Sequence, residues 1–140
     1  MLQLAAILFG LVFLLVGVLG FVPGVTTNHM LFGIFHVNGA HNVVHLLSGL
    51  VALLAGTAGA GSSRTFFRVF GALYGAVAVL GFIVGNGPIF GLISNNPAVT
   101  WLHVGISAVA LALGYLVPVP HDGHAEPIDV HGHQPAPHHR

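Results

Sequence analysis

The chain contains no cysteine and no lysine, and only 4% of its 140 residues are charged. Without cysteine there are no disulfides, no thiolate nucleophile and no cysteine-ligated zinc or iron–sulfur centre. A soluble domain carries about a quarter charged residues, so the charge deficit assigns most of this chain to lipid rather than water. Its basic residues are three arginines, Arg64, Arg68 and Arg140. That is too few to neutralise a run of phosphates, and nucleic acid is excluded as a partner. Acids are equally scarce: Asp122, Glu126 and Asp129 all follow the last apolar run. The predicted spans therefore hold no acid at all, and arginine only at the rim of the third. Ion-coupled transport usually needs such groups within the membrane, so transport is disfavoured.

What the chain has in abundance is apolar sequence, at 55% hydrophobic. Four runs are each long enough to cross a hydrocarbon core, over about 2–22, 40–59, 67–84 and 98–117. The first competes with a cleaved signal peptide. It lacks a preceding Lys or Arg, lacks a small-x-small cleavage site, and runs into Phe21-Val22-Pro23-Gly24. It also reappears later in the chain, which favours structure over a discarded leader. Phe9-Gly10 returns as Phe70-Gly71, and Val18-Leu19-Gly20-Phe21 as Val79-Leu80-Gly81-Phe82, an offset of 61. The second and fourth runs repeat at 58: His45, Val51, Ala52, Leu53 and Gly56 match His103, Val109, Ala110, Leu111 and Gly114. A two-span unit duplicated in tandem inserts both copies with the same orientation.

Between spans, the Gly56–Ser63 segment reads as a short flexible link. Met30–Phe35 reads as a half-buried turn of helix at the interface, and Ile89-Phe90 with Leu92-Ile93 as a second interfacial dip. Asn38 and Asn42 are candidate caps or cross-helix bonds for the second span, Asn96 and Thr100 for the fourth. Gly71-x-x-x-Gly75 and Gly81-x-x-x-Gly85 offer small faces for close helix approach. Arg64 and Arg68, the only basic residues in a short loop, predict a cytoplasmic middle link and hence both termini inside. The tail over 119–140 is proline-punctuated, histidine-rich and expected to be disordered.

The fold expected is an all-α, polytopic membrane protein: a 1–118 domain of four transmembrane helices as two parallel two-helix repeats, then the tail. The blocks Gly20–Asn28, Leu31–Asn38, His41–Leu46 and Trp101–Val104 resemble the domain-of-unknown-function 4383 family, bacterial four-helix integral membrane proteins common in actinobacteria. That resemblance covers about residues 3–117 and implies the same fold and a plasma-membrane location. It implies no activity.

Chemistry rests on the histidines. His41 and His45 stand at i and i+4, on one helix face, and His45 and His103 share a depth through the repeat. Imidazole in an apolar span is costly and frequently functional. His45 with His103, as a pair, could hold haem b or a divalent metal, and His41 is a further metal candidate. The plain alternatives are hydrogen bonds that anchor the long loop, or proton handling. In the tail, His121, His124, His131 and His133 form a second, looser set of metal candidates. Ser48 and Ser107 lie near the membrane histidines, but no acid is present to orient a base, so nucleophilic catalysis is disfavoured. The leading expectation is a non-enzymatic structural or accessory component acting through contacts with lipid, with further copies of itself, or with other membrane proteins. The alternatives are a haem- or metal-binding membrane protein using His45 and His103, or metal sensing through the histidine-rich tail.

Overall fold

The computed structural model describes residues 1–119; the tail histidines His121, His124, His131 and His133 lie outside the described residues. Four helices, α1 (Leu2–Leu19), α2 (Gly39–Ala58), α3 (Ala60–Val84) and α4 (Pro97–Leu116), are each long and apolar enough to span a membrane. Their exposed large apolar side chains are mostly Leu, Val, Ile and Phe, as for Leu4, Leu15, Leu54, Leu73 and Ile83, with Trp101 and Tyr115 outward near the two ends of α4. In water such a surface would aggregate; in lipid it is the expected solvent-facing shell. α1 packs chiefly on α2, and α3 on α4, giving two antiparallel pairs. The loops within both pairs meet at one end of the bundle, so the two repeats run parallel.

Packing within each pair depends on close backbone approach. A Cβ on Gly10 would lie 2.8 Å from the Gly49 carbonyl oxygen, and one on Gly71 would lie 2.8 Å from Leu111 Cγ. Gly49 has Ser107 as its counterpart at the 58 offset, and Ser107 Oγ donates to the Gly71 carbonyl at 2.7 Å. Gly20 fits against the Asn42 amide and Gly81 against Thr100 Oγ1, again equivalent pairs. Gly71, Gly75 and Gly81 thus spend their small faces on α4. Gly85 instead caps α3 with φ of 61°. The centre of the bundle is aromatic: Phe9, Phe13, Phe66, Phe67, Phe70 and Tyr74 form an edge-and-face stack, with Phe9–Phe70 centroids 5.2 Å apart.

Two expectations are corrected. The Gly56–Ser63 segment is helical except for a break at Gly59, whose φ of 131° and ψ of 174° only glycine adopts readily. The hydroxyls that suggested a linker bond back to the backbone: Thr57 Oγ1 donates to Leu53 O, and Ser63 Oγ to Gly59 O and Ala55 O. Arg64 and Arg68 consequently sit on α3 itself. Arg64 Nη2 donates to Val117 O at 3.0 Å and Arg68 Nε to Gly114 O at 2.8 Å. The guanidinium of Arg68 also covers the Tyr115 ring at 4.5 Å. Both cations thereby meet the carbonyl-rich, negative end of α4.

The second correction concerns Met30–Phe35, which is not helical. It belongs to a three-stranded antiparallel sheet of β1 (Thr26–Thr27), β2 (Met30–Leu31) and β3 (Phe35–His36). Asn28 and His29, both at positive φ, form the two-residue turn that pairs Thr27 with Met30. Phe32 and Gly33, also at positive φ, turn the chain between Leu31 and Phe35. The second loop repeats this turn: Phe90 and Gly91 are at positive φ, and Ile89 bridges Ile93. Leu31 and Ile89 point inward at 2% exposure, leaving Phe90 and Leu92 exposed at the tip.

The loops are crossed over each other by two equivalent asparagines. Asn38 caps α2 by accepting from His41 N at 2.9 Å, and Asn96 caps α4 by accepting from Val99 N at 3.0 Å. Each then donates its amide to the other repeat: Asn38 Nδ2 to Leu92 O at 2.8 Å, Asn96 Nδ2 to Ile34 O at 2.9 Å. Asn42 does not cap; it is 3% exposed against Gly20. Replacing Asn38 or Asn96 with alanine removes a cap and a cross-repeat bond together. Each change is expected to lower stability by about 2 kcal/mol. Asn86→Ala in the same loop region should stay within about 0.5 kcal/mol. Detergent-titrated unfolding of the three variants checks this, and equal effects at all three positions would remove the clasp as a stabilising element.

A histidine cluster at the loop end of the bundle

Three imidazoles converge where the clasped loops meet α2 and α4. His41, His45 and His103 are each 5% exposed, and one ring nitrogen from each lies within 4.8 Å of the others. Sequence spacing explains two of the three positions. His45 follows the start of α2 by six residues (45 − 39), and His103 follows the start of α4 by six (103 − 97). At 1.5 Å per residue both lie about 9 Å into the bundle. His41 comes one turn earlier on the same face as His45, and its counterpart in the second repeat is Val99. The cluster is thus a symmetric pair plus one histidine that the duplication does not supply.

Hydrogen bonding fixes how His41 is presented. Its Nδ1 lies 2.9 Å from the Ser94 carbonyl oxygen, which can only accept, so Nδ1 carries the proton. The bare Nε2 lone pair then points into the cluster and accepts from His45 Nε2–H at 3.1 Å. Ser94 belongs to the second loop, so the first repeat's unique histidine is oriented by the second repeat. His45 is held flat by Phe13, with centroids 4.9 Å apart and 15° between planes. Tyr74, the counterpart of Phe13 at the 61 offset, stands edge-on to His103 at 5.1 Å. Nδ1 of His45 and Nδ1 of His103 are buried without a hydrogen-bond partner. An unmet buried polar group costs about 1–3 kcal/mol.

The two serines near the cluster are committed elsewhere. Ser107 Oγ bonds the Gly71 carbonyl, and Ser48 Oγ lies 3.4 Å from the Tyr74 hydroxyl. The His41 ring stands 4.9 Å from that of His45 and 6.0 Å from that of His103, so any group held by His45 and His103 would also meet His41. Three neutral imidazole nitrogens this close are a donor set that suits a transition-metal ion. The signal for His41 was present in the sequence as the i, i+4 spacing. Its anchor, Ser94, carried no signal, because a backbone carbonyl has no residue-type signature.

Fold and site together define a class: a duplicated, four-helix polytopic membrane protein with a buried histidine cluster at one end. The described helices carry that class without a second globular domain among them. The chain belongs to the family defined by a domain of unknown function (DUF4383), which matches residues 3–116. No curated protein and no solved structure matches it.

Proposed function

We propose that this is a non-enzymatic protein of the bacterial plasma membrane that holds one transition-metal ion among His41, His45 and His103. The observation that carries the reading is the convergence of three buried ring nitrogens within 4.8 Å, one with its lone pair fixed inward by Ser94. A shared ion would replace the proton between the closely opposed Nε2 atoms of His41 and His45, that proton moving to His45 Nδ1, and burial of three imidazoles in lipid would acquire a purpose. The absence of any acid from residues 1–119 argues against hydrolytic or proton-relay chemistry at the cluster.

The test is metal analysis of the purified full chain in nanodiscs, beside a variant with all three histidines changed to alanine. Any binding by the histidine-rich tail is common to both proteins and cancels in the difference. Wild type is expected to retain about one more equivalent than the variant. Equal retention of every transition metal tried would defeat the reading.

We also place the clasped loops outside and both termini in the cytoplasm. Arg64 and Arg68, at the opposite end from the loops, support this orientation. Reporter fusions after Gly61 and after Pro120 should both report cytoplasm; a periplasmic signal from either reverses or breaks the topology.

A further inference from the structure

Resting on the metal-binding reading above, we infer that the histidine cluster selects the monovalent cuprous ion over divalent zinc. All three ligands are neutral imidazoles, and residues 1–119 contain no carboxylate or thiolate that could offset added charge. The charging cost of an ion in a low-dielectric medium grows with the square of its charge. A divalent ion therefore costs about four times what a monovalent ion of the same size costs.

Coordination number points the same way. Zinc is four-coordinate in protein sites, the fourth position of a three-histidine site being taken by water or substrate. Here Phe13 and Tyr74 close on His45 and His103, and each histidine is 5% exposed, leaving a fourth, hydrated position poorly provided for. Cupric copper favours four-cornered tetragonal surroundings. Cuprous copper accepts three nitrogens in a plane. With metal–nitrogen bonds of about 2.0 Å that geometry sets the nitrogens about 3.5 Å apart. The His41–His45 separation of 3.1 Å is already close to it, and the widest separation, at most 4.8 Å, closes by side-chain rotation. Hard monovalent cations such as sodium and potassium seek oxygen rather than imidazole, and few oxygens are on offer. Of those nearby, the Ser94 carbonyl is already engaged by His41.

Full-length protein in nanodiscs is equilibrated with cuprous copper under ascorbate and argon, or with zinc, at matched free concentrations set by a chelator. Retained metal is measured after desalting, and the value for the triple alanine variant is subtracted. The expected result is one cuprous ion per chain, with an affinity for copper exceeding that for zinc by about tenfold or more. X-ray absorption on the copper-loaded wild type, which requires no variant to fold, should show three nitrogen neighbours in a low-coordinate cuprous site. Tighter or equal zinc retention overturns the cuprous preference while leaving a metal site in place. Retention of neither metal above the variant overturns both. A four-coordinate copper spectrum also overturns the preference.

Discussion

Replacing Gly10 with valine is expected to destabilise the bundle more than any other single change on α1. At this position α1 and α2 touch backbone to backbone: a Cβ would meet the Gly49 carbonyl oxygen at 2.8 Å and Leu53 at 2.9 Å. A flexible side chain can swing away from an added methyl, whereas a helical carbonyl cannot move without its helix. Valine adds two further methyls and forces the pair apart along its length. Overpacking costs about 1–3 kcal/mol where side chains can yield, and the backbone obstacle puts this case at about 3 kcal/mol or above. In lipid there is no hydrophobic gain to compensate, since association relies on close packing and interhelical bonds. Gly105 is the control, because nothing lies within 4 Å of a Cβ there. Gly105→Val should stay within about 0.5 kcal/mol. Unfolding in mixed micelles measures both; similar midpoints for the two variants would mean that the helix pairs are not held by this approach.

The second large effect is expected at His41. His41→Val gives the first repeat the residue that the second already has at the equivalent position, Val99, which is 2% exposed and well accommodated. The substitution should therefore be gentle on the fold. The Asn38 side chain caps through the backbone nitrogen of residue 41, so that bond survives. The Ser94 carbonyl loses its side-chain donor, at about 1 kcal/mol. Metal retention should instead collapse, by about 100-fold or more, because changing even a ligand's supporting partner costs 10–100-fold. Elemental analysis and circular dichroism on the same sample separate the two effects. A variant that retains its metal at wild-type affinity would remove His41 from the site.

Much of this architecture was legible in the sequence, because membrane helices announce themselves by length and apolarity, and duplicated packing preserves the residues at contact points. Gly10 and Gly71, Gly20 and Gly81, Gly56 and Gly114, and His45 and His103 all recur at the two offsets and all occupy equivalent contacts. The failures have local causes. Thr57, Ser62 and Ser63 resemble a linker by composition, yet Thr57 and Ser63 spend their hydroxyls on helix carbonyls. Leu31-Phe32-Gly33-Ile34-Phe35 resembles a helical turn by apolarity, yet the positive φ of Phe32 and Gly33 makes it a hairpin. Its counterpart Ile89-Phe90-Gly91-Leu92-Ile93 has the same Phe-Gly pair, a match that could have exposed the shared turn. The histidines were legible as two pairs, His41 with His45 by the i, i+4 spacing and His45 with His103 by the repeat, but not as one cluster of three. His41 joins it through Ser94, a partner 53 residues away that acts through its main chain.

The mismatch between His41 and Val99 has a consequence for how such a site can arise. Two identical two-helix subunits related by a two-fold axis present every residue in duplicate, so any cluster on that axis has an even number of members. Two histidines are available to such a dimer, or four, but never three. Joining the halves into one chain lifts that restriction, since position 41 can change while position 99 stays apolar. An odd-numbered ligand set is therefore open to the fused protein and closed to a symmetric pair of its halves.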